Sequence, residues 1–106
     1  MPTNEQLYDE ADRLKDAGRL EEAVAKLKEL LAQDAKYALA HSALAVLYTK
    51  LKRHDEAIAH AQHVCQLEPN DAFSFTALSV TFQRAGKIPE AEEAMARARI
   101  VQGGAH

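Results

Sequence analysis

The sequence predicts an all-α solenoid built from three helix–turn–helix repeats. Three observations carry that reading. Apolar residues recur at helical spacing along most of the chain, and no alternating run reads as a strand. The helical runs break at Gly18, at Lys52-Arg53-His54 and at Gly86, and the central one stops at Glu68-Pro69-Asn70-Asp71. The pattern then repeats every 34 residues: Ala57 matches Ala23 and Ala91, Tyr48 matches Leu14 and Phe82, and Leu44 matches Leu78.

The elements follow in order. Thr3 or Asn4 caps a first helix that runs to about Ala17, with Glu5 and Gln6 in its first turn. Gly18 ends it by supplying the positive φ of a tight turn. A second helix from Leu20 to about Asp34 carries Ala23, Leu27, Leu30 and Leu31 on one face. The third, Tyr37 to Leu51, is apolar nearly all round, so it cannot simply turn one face to water. The fourth ends before Pro69, placed as a stop should be. Asn70 or Asp71 caps the fifth, about Ala72 to Ala85, and Gly86 turns the chain. Pro89 fits the first turn of the sixth, which should end near Val101, leaving 102–106 as a frayed tail. The repeats are thus about 4–37, 38–71 and 72–105 of a single domain of 106 residues. Small residues at Ala11/Ala45/Ser79 and Ala23/Ala57/Ala91 let paired helices approach closely, and Leu14/Tyr48/Phe82 and Leu7/His41/Phe75 supply the larger partners.

These residues resemble the tetratricopeptide repeat (TPR) family. The matching positions are Leu44, Ala45, Tyr48, Ala57 and Pro69 in the centre, then Leu78, Ser79, Phe82, Gly86, Ala91 and Ala98. The first unit keeps Ala11, Gly18 and Ala23. The resemblance implies a right-handed superhelix in which the first helix of each pair lines a concave groove and the second forms the convex back. It also implies a protein-binding scaffold rather than an enzyme.

Terminal faces of a solenoid should be polar. Where the internal joints carry Ala40, Leu44 and Leu47 or Ser74, Leu78 and Thr81, the first unit has Gln6, Glu10 and Arg13. Where they carry Val24 and Leu31 or Ile58 and Cys65, the last unit has Glu92 and Arg99. The expectation is a self-contained three-repeat domain.

The groove implied by the resemblance is lined by Tyr8 and Asp12, then Leu39, Ser42, Ala43 and Val46, then Phe73, Thr76, Ala77, Val80 and Gln83. It is largely apolar and uncharged, which suits an apolar peptide or helix from a partner protein. Self-assembly through the same surfaces is the alternative, with a monomer expected and a homodimer the variant reading. Some TPR domains clamp the C-terminal carboxylate of heat-shock chaperones with Lys, Asn, Asn, Lys and Arg. The matching places here are Tyr8, Asp12, Ala43, Phe73 and Ala77, which offer no cation and one anion, so that ligand is not expected.

Other features read as structural. Arg19, Arg53 and Lys87 form one basic column and Lys50 and Arg84 another, but Glu21, Glu22, Asp55, Glu56 and Glu90 stand beside them as local ion partners. His60 and His63 fall on the convex surface with no ligand set completed, and His41 fills a core column. Cys65 belongs to the joint between the second and third units, where a thiol acts as a small hydrophobe. A net charge of −3 argues against a broad nucleic-acid interface. The single cysteine forms no internal disulfide, and no apolar run is long enough for a membrane span or a secretory leader. No phosphate loop, G-x-S-x-G or HExxH motif is present, and no cofactor or metal is expected. The expected compartment is the cytoplasm.

Overall fold

The computed structural model describes residues 1–104. They form six helices: α1 (Asn4–Asp16), α2 (Leu20–Gln33), α3 (Ala38–Lys50), α4 (His54–Leu67), α5 (Ala72–Arg84) and α6 (Ile88–Gly103). No strand occurs among the described residues. Each odd helix pairs with the one after it, and α2 packs on α3 and α4 on α5, so the three hairpins stack into a solenoid.

Local chemistry sets the boundaries. The Thr3 hydroxyl accepts from the Gln6 backbone N–H at 3.1 Å, and the Gln6 side chain accepts from the Thr3 N–H at 2.8 Å. Two orphan donors are thereby satisfied in one reciprocal cap. Asp71 caps α5, its carboxylate accepting from the Phe73 N–H at 3.0 Å. Pro89 stands in the first turn of α6.

The turn inside each hairpin is the same object three times. The N–H of Arg19, Arg53 and Lys87 donates to the carbonyl of Leu14, Tyr48 and Phe82, respectively, at 2.8–2.9 Å. That bond pattern needs a left-handed residue just before it. Gly18 and Gly86 supply it at φ +79° and +78°, but the central turn uses Lys52 at φ +64°. A Cβ in that conformation meets the following carbonyl, so Lys52 carries strain that the glycines avoid.

α6 runs two residues beyond the Val101 expected from the sequence. Gly104 keeps a right-handed conformation, φ −74°, instead of turning the chain left-handed, so Gln102 and Gly103 stay helical. The remaining tail residues, 105–106, lie outside the described residues.

The core divides in two. Leu7, Leu27, Leu30, Leu44, Leu47 and Tyr48 anchor a cluster shared by the first and second hairpins. Ala45, Ile58, Cys65, Phe75, Leu78 and Phe82 belong to a second, shared by the second and third. Close helix approach depends on small side chains: Ala23 and Ala57 are fully buried, and the Ser79 hydroxyl donates to the Ala91 carbonyl at 2.7 Å. At the two ends, Gln6, Arg13, Glu92 and Arg99 are exposed where the internal joints bury Ala40, Leu44, Leu78 and Ile58.

Candidate functional site

The first helices of the hairpins present two adjoining clefts. The larger lies between α3 and α5 and encloses about 600 Å³. Leu39, Ser42 and Val46 line it from α3, and Phe73, Ala77 and Val80 from α5, with Ala45, Ala61 and Val64 among the other lining residues. The smaller, about 220 Å³, lies between α1 and α3 and is lined by Tyr8, Asp12, Ser42, Ala43 and Val46, together with Lys15. Nine of the eleven residues assigned to the groove from the sequence therefore line one cleft or the other. Thr76 and Gln83 line neither. The Thr76 hydroxyl turns back to the Ala72 carbonyl at 3.2 Å, and Gln83 joins Ile88 and Met95 at a separate surface depression.

Exposed apolar side chains gather on this surface. Phe73 is 83% exposed, Leu39 54%, Val46 52% and Val80 42%. Helical spacing explains the arrangement: Leu39 and Val46 are seven residues apart on α3, as Phe73 and Val80 are on α5, so each pair shares a face two turns long. The smaller cleft is more polar. Its Asp12 pairs with Lys15 at 3.0 Å, and that bond holds the Lys15 ammonium above its usual range. Tyr8 meets Tyr37 edge to face at 6.3 Å between ring centres.

The sequence reading missed the charged mouths of the larger cleft. Lys50 and Arg84, assigned there to an outer rim, line it at one end, and Glu68 and Asp71 line it at the other. The other basic column behaves as a solvated edge: Arg53 pairs with Glu21 at 3.1 Å and Arg19 with Glu22 at 3.6 Å.

The histidines also differ from expectation. His41 is buried as anticipated, but His60 and His63 gather around it. The His60 ring is half-buried, so the purely convex placement does not hold for it. His41 Nε2–H donates to the Ala35 carbonyl at 2.9 Å, leaving the Nδ1 lone pair to accept from His60 Nδ1–H at 2.9 Å. His63 stacks on His41 at 4.2 Å, and Tyr48 stacks on His60 at 5.7 Å. Burial, with the neighbouring His41, His63 and Lys28, lowers the His60 pKa to about 4. The antiparallel pairing that sets Ser79 opposite Ala91 also sets His41 opposite the His60–Ala61 turn, which is the signal that sequence reading could have used. No group of three or more His, Cys, Asp or Glu side chains is arranged to hold a metal ion among the described residues.

Cys65 stands at the joint between the second and third hairpins. Its thiol donates to the Ser74 carbonyl at 3.3 Å, and burial raises its pKa. Among the described residues no helix is long and apolar enough to cross a membrane.

Comparison with known proteins agrees with this geometry. A crystal structure of MamA superposes with a TM-score of 0.86 at 19% identity, covering 96% of this chain and 60% of the MamA chain. The chain thus spans less than two thirds of that neighbour. The second TPR of Spaghetti (RPAP3), bound to the HSP90 peptide SRMEEVD, superposes with a TM-score of 0.81 at 19% identity over 93% of this chain and 92% of that one. YrrB, described as a TPR protein with an unusual peptide-binding site, gives 0.84 at 18% identity, covering 97% of this chain and 53% of its own. At these identities the likeness is one of fold. A search of curated proteins finds no match. A tetratricopeptide repeat model matches residues 8–72, more than half of the sequence. With three hairpins sharing one turn, one small-residue column and one register, the chain belongs to the tetratricopeptide repeat family.

Proposed function

We propose that the chain is a protein–protein interaction scaffold that holds an apolar peptide or helix of a partner protein in the α3/α5 cleft. The observation that carries this reading is the placement of exposed apolar side chains. Seven large hydrophobic residues stand exposed among the described residues, and four of them, Leu39, Val46, Phe73 and Val80, converge on this one cleft. Scattered exposure needs no explanation, but convergence on a preformed concavity does. The peptide-binding descriptions of the RPAP3 and YrrB neighbours point the same way.

The energetics suit an exchangeable contact. Full burial of such side chains is worth roughly 1.5–3 kcal/mol each, and these four are already part-covered, so about 4–5 kcal/mol remains to be gained. Association itself costs about as much or more. A rigid stack limits the ordering cost to the partner's side. The apolar anchors alone therefore support affinity no tighter than about millimolar, and polar and backbone contacts must supply the rest.

The carboxylate clamp of chaperone-binding TPR domains is absent under this reading: of the places that would form it, Ala43, Phe73 and Ala77 carry no polar side chain and Asp12 is an anion already paired with Lys15. The test is affinity capture from the source cell's lysate with the parent and with Phe73→Glu plus Val80→Glu, after circular dichroism shows both to be helical. A protein retained by the parent and lost by the variant supports the reading. Equal retention by both refutes it. Sedimentation over a range of concentrations addresses self-assembly: mass that rises with concentration in the parent and not in the variant favours that alternative.

A further inference from the structure

The two walls of the larger cleft repeat one pattern. Leu39, Val46 and Lys50 on α3 correspond, 34 residues on, to Phe73, Val80 and Arg84 on α5. Each wall reads apolar, β-branched, cation, in the same direction. The corresponding places on α1 are Glu5, Asp12 and Asp16, so the pattern is confined to the walls of this cleft.

The charges are not consumed elsewhere. Neither Lys50 nor Arg84 joins any of the ion pairs found among the described residues, whereas Arg19, Arg53, Lys15 and Lys26 do. A cation in the last turn of a helix offsets the helix dipole from any face. Here both helices aim theirs into the cleft lining. At the opposite mouth stand Glu68 and Asp71, the latter occupied with the N–H of Phe73. The cleft is therefore apolar along its walls, positive at one mouth and negative at the other.

We propose that the cleft selects a partner segment whose apolar residues are followed at one end by acidic residues, the acidic end lying between Lys50 and Arg84. This rests on the groove reading above and adds the chemistry and polarity of the occupant. Lys50 lies eleven residues beyond Leu39, about 16 Å at the helical rise. That distance matches about five residues of extended chain or eleven of helix. The acidic residues come from within the segment and require no free terminus. A basic end at this mouth meets two cations and is rejected, which is how a charged rim sets specificity.

The test is selection from a displayed library of random 12-residue peptides on the full chain, after depletion on Phe73→Glu plus Val80→Glu. Enriched peptides should carry apolar residues with Asp or Glu gathered at one end. A synthetic peptide of that kind should bind Lys50→Glu plus Arg84→Glu about tenfold more weakly or worse, and selection on that variant should enrich Lys- or Arg-ended peptides instead. Both cation positions are exposed, so the charge-reversed variant loses only the modest helix-dipole contribution of each and should keep its helical signal, which circular dichroism checks before binding is measured. Enriched peptides without acidic bias, or equal binding to the charge-reversed variant, overturn the proposal while leaving the groove reading in place. No enrichment by the parent over the Phe73→Glu/Val80→Glu variant overturns both. A parent that dimerises through the cleft, and is monomeric only as that variant, makes a second copy the occupant and also overturns the proposal.

Discussion

Replacing His60 with asparagine should flatten the acid limb of the stability profile. His60 donates Nδ1–H to His41 and is held neutral in the fold, with a pKa of about 4 against an ordinary 6.5. Between those values the unfolded chain binds the proton and the folded chain does not, so stability rises with pH across the window. The contribution is complete above pH 6.5 and lost as pH falls toward 4. Fully expressed, the gap would correspond to about 3 kcal/mol. Screening at a half-exposed ring reduces that to about 1–2 kcal/mol. An asparagine amide can donate to His41 Nδ1 from nearly the same place but does not titrate. Urea unfolding followed by circular dichroism at pH 7 and pH 4 measures the difference. The parent should lose about 1–2 kcal/mol more than His60→Asn over that interval, the carboxylate contribution being common to both. Equal losses would refute the reasoning, and would mean that His60 is not kept neutral by its surroundings.

Four further outcomes follow from the packing and the turns. Lys52→Gly should raise stability by about 0.5–1 kcal/mol, read as a higher urea midpoint, because the left-handed strain it relieves exceeds the chain entropy it adds. Ala57→Leu should cost about 1–3 kcal/mol, since the residue is fully buried where small side chains set helix spacing. Thr3→Ala should cost about 1 kcal/mol and fray the start of α1, visible as faster amide exchange at Gln6. Phe73→Glu plus Val80→Glu should change the thermal midpoint little, because both side chains stand exposed and leave the core untouched.

The hairpins were legible because period and punctuation agreed. Apolar spacing gave the helices, and Gly18, Gly86 and Pro69 gave their limits within a residue or two. Lys52 was hidden because its own chemistry does not announce a left-handed turn; only its place in the column with the two glycines does. Most of the groove could be read once the first helices were known to line it. Its charged mouths could not, since Lys50 and Arg84 sit at helix ends where a half-turn of rotation decides between rim and cleft. The histidines escaped for a related reason. Reading each helix alone placed His60 and His63 outside, whereas the register between α3 and α4 brings them onto His41. Pairwise register across a hairpin carries information that the columns of a repeat do not.

The division of the core has a mechanical consequence. The two apolar clusters meet only within the second hairpin, so the third can loosen while the first stays packed. The α3/α5 cleft spans the joint between the second hairpin and the third. An occupant bridging Val46 and Val80 would act as a clasp across it, shifting the slow exchange of α5 amides toward that of α3. The partner would thus be felt as a loss of independence between neighbouring hairpins, with the backbone of each left where it was.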